Sequence, residues 1–151
     1  MALINWFPGH MAQARRNLSK ALASVDVVVE VLDARMPAAS ANPLFEELRK
    51  ERQRPALKVL NKADLADQDV TQQWVDHYLD TSKFSSALPL VGKSKRDVRK
   101  VVQQCQKLAP HRVDAIKPLR LMVSGVPNVG KSTILNGLLG QAKAKAADEP
   151  A

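Results

Sequence analysis

Four runs of nearly unbroken apolar residues mark the chain: Val25 to Asp33, Pro55 to Asn61, Ala87 to Val91 and Leu119 to Gly125. Each has the length of a strand, and the lack of polar alternation predicts strands buried on both faces. Helix-like segments separate them. Strand and helix in alternation, with continuously apolar strands, are what a parallel sheet covered on both sides requires, so the expected fold is α/β in three layers.

The helices announce their starts and their inner faces. Asn42 can cap a helix that has Pro43 in its first turn, and Ser94 can cap one that reaches about Ala109. In that second helix Val98, Val101, Val102, Cys105 and Leu108 form one apolar stripe, leaving Lys95, Arg96, Arg99, Lys100 and Lys107 mostly outside. An earlier helix, about Met11 to Ser24, turns Met11, Ala14, Leu18, Ala21 and Leu22 inward and leaves Arg15, Arg16 and Lys20 out. A helix over Thr133 to Leu139 follows the last strand, and Gln141 to Ala151 reads as a compositionally simple tail.

At 151 residues and 45% hydrophobic, the chain is the size of one domain able to bury a single core. Its 23 Lys and Arg against 15 Asp and Glu leave a net charge of +8, which suits an anionic partner such as RNA and serves solubility equally well. One cysteine, Cys105, cannot make an internal disulfide and falls on an apolar stripe, as a small core residue would. Met1 to His10 has neither the basic start nor the apolar run of a secretion signal, and no stretch approaches membrane-spanning length. A cytoplasmic protein with no membrane partner is expected.

Two motifs carry chemistry. Gly125-Val126-Pro127-Asn128-Val129-Gly130-Lys131-Ser132 fits the phosphate-loop pattern G-x-x-x-x-G-K-[ST] at every fixed position, with a strand before it and a helix after it. In that setting backbone amides and the helix start converge on phosphate oxygens, Lys131 reaches the β- and γ-phosphates, and the Ser132 hydroxyl suits Mg²⁺. Asn128, Val129, Gly130 and Thr133 complete the lining. Asn61-Lys62-Ala63-Asp64 directly follows the second strand, where a base-binding loop should leave the carboxyl end of a parallel sheet. The Asp64 carboxylate can accept from guanine N1–H and the 2-amino group, neither of which adenine offers. Asn61 and Lys62 would brace the base and the phosphate loop. A third wall should follow the strand Ala87 to Val91. Val91-Gly92-Lys93-Ser94 has the position for it, whereas Ser85-Ser86-Ala87-Leu88 resembles the usual Ser-Ala pattern but precedes that strand.

The base motif comes before the phosphate motif, the reverse of Ras-type GTPases. With Trp6-Phe7-Pro8-Gly9-His10-Met11-Ala12, Asp33-Ala34-Arg35-Met36-Pro37, Asn61 to Asp64 and Gly125 to Thr133, nearly the whole chain resembles the ribosome biogenesis GTPase A family of circularly permuted GTPases. The resemblance implies a permuted P-loop GTPase domain in which Leu119 to Gly125 sits beside Val25 to Asp33. It implies a GTP-controlled switch that assembles the large ribosomal subunit, binds GTP or GDP with Mg²⁺, and contacts the subunit precursor and its rRNA; a monomer with no DNA partner is expected. Asn128 matches the position that helps hold K⁺ in potassium-dependent relatives, or it simply shapes the turn. The family's switch I threonine and switch II Asp-x-x-Gly are absent, so 1–141 reads as a partial G domain and 142–151 as a tail leading toward switch I. A guanine-nucleotide-binding, RNA-interacting module without efficient hydrolysis is the alternative reading. Asp33 fits a structural loop better than a metal site.

Hydrolysis needs a group that orients water. His10 is the candidate, with a helix start or an RNA contact as its other roles. Catalysis by His10 predicts a large drop in single-turnover hydrolysis for His10→Ala in a hydrolysing protein, and an unchanged rate rules it out.

Overall fold

The computed structural model describes residues 2–6, 11–80, 84–91, 94–112, 118–126 and 129–148. Its strands are β1 (Ala2–Trp6), β2 (Val27–Asp33), β3 (Ala56–Asn61), β4 (Ser85–Pro89) and β5 (Arg120–Ser124). They form one sheet in the order β1-β5-β2-β3-β4, with every pairing parallel. Around it lie α1 (Met11–Ala23), the short α2 (Pro37–Ser40), α3 (Pro43–Glu51), α4 (Gln68–Tyr78), α5 (Lys95–Leu108) and α6 (Lys131–Asp148).

Successive strand residues point to opposite faces, and both faces are covered. Val27, Val29, Val31, Leu57, Val59, Leu121 and Val123 pack with Val98, Val101 and Cys105 of α5 and Ile134 and Leu138 of α6. Val28, Ala56 and Met122 pack on the other face with Leu18 and Leu22 of α1 and Phe45 and Leu48 of α3. Every residue of β2 and β3 is buried, which is why those runs carry no polar alternation. Each fully buried leucine or valine in these clusters contributes about 1.5–3 kcal/mol. Burial also pushes the Cys105 thiol well above its ordinary range, as befits a core residue. The expected caps form: Asn42 accepts from Leu44 N–H and Ser94 from Asp97 N–H. Near its middle α6 comes so close to α5 that a Cβ on Gly137 would stand 2.6 Å from Val98 Cγ2.

Four expectations are corrected. The sheet has a fifth strand, β1, whose backbone pairs with β5 from Ala2↔Arg120 to Trp6↔Ser124; its five residues are too few to show a period. The fourth strand begins two residues earlier than its apolar run, because register with β3 sets Ser85 opposite Ala56 and Pro89 opposite Leu60. Ser85 and Ser86 therefore lie within β4, not before it. As an outer strand, β4 is half-buried at Ser86, Ala87 and Leu88 and exposed at Pro89, not covered on both faces. Helix α6 continues to Asp148, past the Leu139 at which the sequence pattern ends it.

One feature of the sheet is polar. Glu30 of β2 and Lys58 of β3 are direct cross-strand partners, 2% and 3% exposed. Lys58 Nζ donates to Glu30 Oε1 at 2.8 Å and to Glu46 Oε2, and Arg49 Nη2 donates to Glu46 Oε1 at 2.6 Å. Two carboxylates thus meet two cations on the sheet face that also carries Val28, Ala56 and Met122. At the amino ends of β2 and β5, Asp26 accepts from the Arg120 backbone N–H at 2.9 Å and from its guanidinium at 3.1 and 3.2 Å.

Candidate functional site

The two motifs meet at the carboxyl end of the sheet. β5 ends at Ser124 and leads into the phosphate motif, β3 ends at Asn61 in the base motif, and β2 lies between them. Across the end of β2, Asn61 Nδ2 donates to the Val129 carbonyl at 2.8 Å, joining residues 68 apart in sequence. Asn61 is 3% exposed, and among the described residues its Oδ1 has no hydrogen-bond partner. A buried acceptor without a donor is costly, about 1–3 kcal/mol.

The local backbone explains the glycines. Gly130 has φ +88°, a conformation that suits glycine, and a Cβ there would collide with Asn61 Nδ2. Any side chain at 130 would therefore strain the turn and push apart the two loops that Asn61 joins. At Gly125 a Cβ would lie 3.1 Å from both Val31 O and Val129 Cγ2, so the chain leaves β5 pressed against β2. Helix α6 starts at Lys131, with Ser132 and Thr133 exposed in its first turn. Lys131 is 7% exposed, and burial lowers the pKa of its ammonium.

Lys62 adopts the left-handed conformation at φ 61°, and a single 3-10 turn over Ala63–Leu65 presents Asp64 at the exposed rim. Ala63 N–H donates to the Leu90 carbonyl at 3.0 Å, and Leu90 N–H to the Leu60 carbonyl at 2.9 Å. These bonds set Val91, 38% exposed, beside the base motif. Ser85 and Ser86, by contrast, stand at the far end of that strand. His10, Gly92 and Asn128 lie outside the described residues.

Sequence reasoning does not find how Asp33 is held. It is 5% exposed at the end of β2, and its carboxylate accepts from Arg35 N–H at 2.9 Å, Nε at 3.0 Å and Nη2 at 2.8 Å. Hydrogen bonds from Arg35 hold its pKa down, outweighing burial, and the charge of Lys62 adds to the effect. Asp33 N–H also donates to the Ser40 hydroxyl at 2.9 Å. Separate from this end of the sheet, a cavity of about 500 Å³ lies between α3 and α4. Glu30, Glu46, Arg49 and Lys58 line it and are already matched to one another, so it does not compete as the candidate site.

The chain is similar to several known proteins. A family model described as 50S ribosome-binding GTPase matches residues 120–151. Ribosome biogenesis GTPase A of Bacillus cereus is 38% identical over 98% of this chain, and that of Priestia megaterium 39% over 97%. The mitochondrial ribosome-associated GTPase 1 of Mus musculus is 40% identical over 90%. The chain spans 51%, 52% and 42% of these three relatives, about half their length. Among solved structures, the GDP-bound structure of TM YlqF superposes with a TM-score of 0.54 at 31% identity, covering 83% of this chain and 48% of that one. The YjeQ structure from Thermotoga maritima shares the fold, with a TM-score of 0.50 at 20% identity over 76% of this chain and 38% of that one. In motif order, in its parallel sheet and in sequence along nearly all its length, the chain is similar to the ribosome biogenesis GTPase A proteins, of which it spans about half.

Proposed function

We propose that this chain binds GTP and GDP as the nucleotide-recognition part of a GTPase that acts in assembly of the large ribosomal subunit. The Asn61–Val129 hydrogen bond carries the reading, because it sets the base motif and the phosphate motif at one fixed spacing across the end of β2. In this reading Asp64 selects guanine, Asn61 and Lys62 hold the base against the phosphate loop, and Val91 with Gly92 forms the facing wall. Val129, Gly130, Lys131, Ser132 and Thr133 receive the phosphates. Desolvation at Lys131 has a use here: phosphate charge would restore the pKa that burial lowers. The Ser132 hydroxyl, exposed in the first turn of α6, offers the hard oxygen that Mg²⁺ takes. Asn128 is the position for K⁺, and His10 the group for orienting water.

Competition against a fluorescent guanine nucleotide tests the assignment. GDP is expected to displace the probe at concentrations at least about a hundredfold below those of ADP, since a site built on hydrogen bonds rejects a base that leaves them unmade. Equal displacement by the two nucleotides refutes it.

The partner is ribosomal RNA of the large-subunit precursor, and the setting is cytoplasmic; no helix among the described residues is long and apolar enough to cross a membrane. Arg96 and Arg99 are exposed on α5, on the side away from its apolar stripe. Charge reversal at both should weaken association with rRNA and flatten its dependence on salt, by about one unit of slope for each phosphate no longer neutralised. Titrations at several salt concentrations read this directly. An unchanged slope moves the RNA-binding face elsewhere.

A further inference from the structure

We propose that the amino end of the sheet binds single-stranded RNA, with phosphates on a row of guanidinium groups and a base on the ring of Phe84. The inference rests on the RNA part of the reading above and deepens it. It places a contact beyond the carboxyl end of α5, whereas Arg96 and Arg99 lie in the first turns of that helix.

Parallel pairing sets Val28 between Ala56 of β3 and Met122 of β5. Two residues before each of these stand Arg54, Asp26 and Arg120, level with one another across three neighbouring strand ends, a width of about 10 Å. Asp26 serves two guanidinium groups: besides its hydrogen bonds from Arg120, it has Arg112 Nε 3.3 Å from its Oδ1. That Nε is buried, and among the described residues it makes no hydrogen bond. Arg54 and Arg52 are held by neutral groups instead. Arg54 donates to the Leu22 and Ala23 carbonyls at 2.8 and 3.0 Å, and Arg52 donates to the Ser19 hydroxyl at 3.0 and 3.1 Å. The acids in the turn before Arg52, Glu47 and Glu51, face Arg15. Four guanidinium groups thus stand against one carboxylate, and the surplus positive charge is fixed in position. Planar forks of this kind match phosphate oxygens two at a time.

An aromatic ring adjoins the row. Phe84 precedes β4, whose Ser85 is the register partner of Ala56, and it is 56% exposed with φ +53°. Phenylalanine is rare in that left-handed conformation, and a ring so exposed buries little apolar surface. Single strands are gripped by rings and cations together, because their bases are free to stack while their phosphates pair; a duplex hides its base faces.

Fluorescence anisotropy of a labelled single-stranded oligoribonucleotide at several salt concentrations tests this, with a thermal melt of every variant. Arg52→Gln combined with Arg112→Gln should weaken binding about tenfold at low salt and reduce the salt slope by about 1.4, the share of two phosphates. Phe84→Gly keeps the backbone at ease at φ +53°, and it should weaken binding about tenfold with the slope unchanged. An unchanged affinity and slope in the double arginine variant overturn the proposal, as does a duplex of the same sequence bound as tightly as the single strand. Tighter binding of a polyglutamate peptide than of the RNA, lost in the arginine variant, assigns the row to an acidic protein and overturns it too. If the double variant does not fold, Arg52→Gln alone takes its place, at an exposed side chain held by one hydroxyl, with a slope change of about 0.7; no change overturns the proposal. Loss of RNA binding on charge reversal at Arg96 and Arg99, with none in these variants, refutes this inference alone. A wild-type chain that binds no RNA refutes the RNA reading and this inference with it, and leaves the guanine assignment to its own test.

Discussion

Asp64→Asn is expected to weaken GDP binding about a hundredfold or more and to admit a xanthine nucleotide in its place. The carboxylate presents two acceptors, which match guanine N1–H and its 2-amino group. The asparagine amide keeps one acceptor and substitutes a donor for the other, so a donor faces the 2-amino group of guanine. Xanthine carries an oxygen at that position and accepts from the new donor. Because Asp64 is exposed on a 3-10 turn, its replacement should alter folding stability by less than about 0.5 kcal/mol, which separates lost recognition from lost structure. Titration with GDP and xanthosine diphosphate, alongside a melting curve, measures both quantities. Undiminished GDP affinity would remove Asp64 from the base pocket.

The largest expected effect on stability lies elsewhere in the sheet. Lys58→Met should cost about 3–5 kcal/mol, because it leaves Glu30 and Glu46 without the cation between them. Glu30 cannot turn to water, being 2% exposed in the middle of β2. Adding Glu30→Gln removes one stranded charge and should recover part of the loss, as expected for residues that touch. Urea denaturation of the single and double variants gives these numbers, and a loss below about 1 kcal/mol for Lys58→Met would show the network to be dispensable. The pH dependence has a definite sign. Burial raises the pKa of Glu46, but Arg49 and Lys58 overcome this and lower it from 4.5 to about 2. Its contribution is therefore complete above about pH 4.5 and is lost as the pH falls toward 2. Lys58→Met should flatten that acid limb.

Much of this architecture is legible in the chain itself. The valine- and leucine-rich runs mark β2, β3 and β5, because strands covered on both faces admit few polar residues. Ser94 and Asn42 mark helix starts for the same reason that they satisfy them, a side-chain oxygen facing otherwise unpaired amides. β1 is hidden because five residues paired to a strand more than a hundred positions away leave no local trace. The start of β4 is obscured because two serines interrupt the apolar pattern, although an outer strand tolerates them.

The site divides in the same way. Both nucleotide motifs are visible from residue types and spacing, yet the Asn61–Val129 bond depends on two strands lying either side of a third, which no local window contains. Glu30 and Lys58 do carry a readable signal. Each lies three residues before the end of its strand, at Asp33 and Asn61, and two parallel strands that end together set opposite charges side by side.

The position of β5 also bears on how the chain reaches its fold. β5 is the last of the described strands in sequence and lies between β1 and β2, and Asp26 closes on Arg120 across 94 residues. Until β5 is in place, β1 has no partner among the described strands and one edge of β2 stays open. The long loop must be closed before these pairings return any energy, which makes for slow folding and a late nucleation step. During synthesis, the valines of β2 would therefore stay exposed along one edge until residues 120–124 emerged, a period in which unwanted strand pairing is the chief hazard.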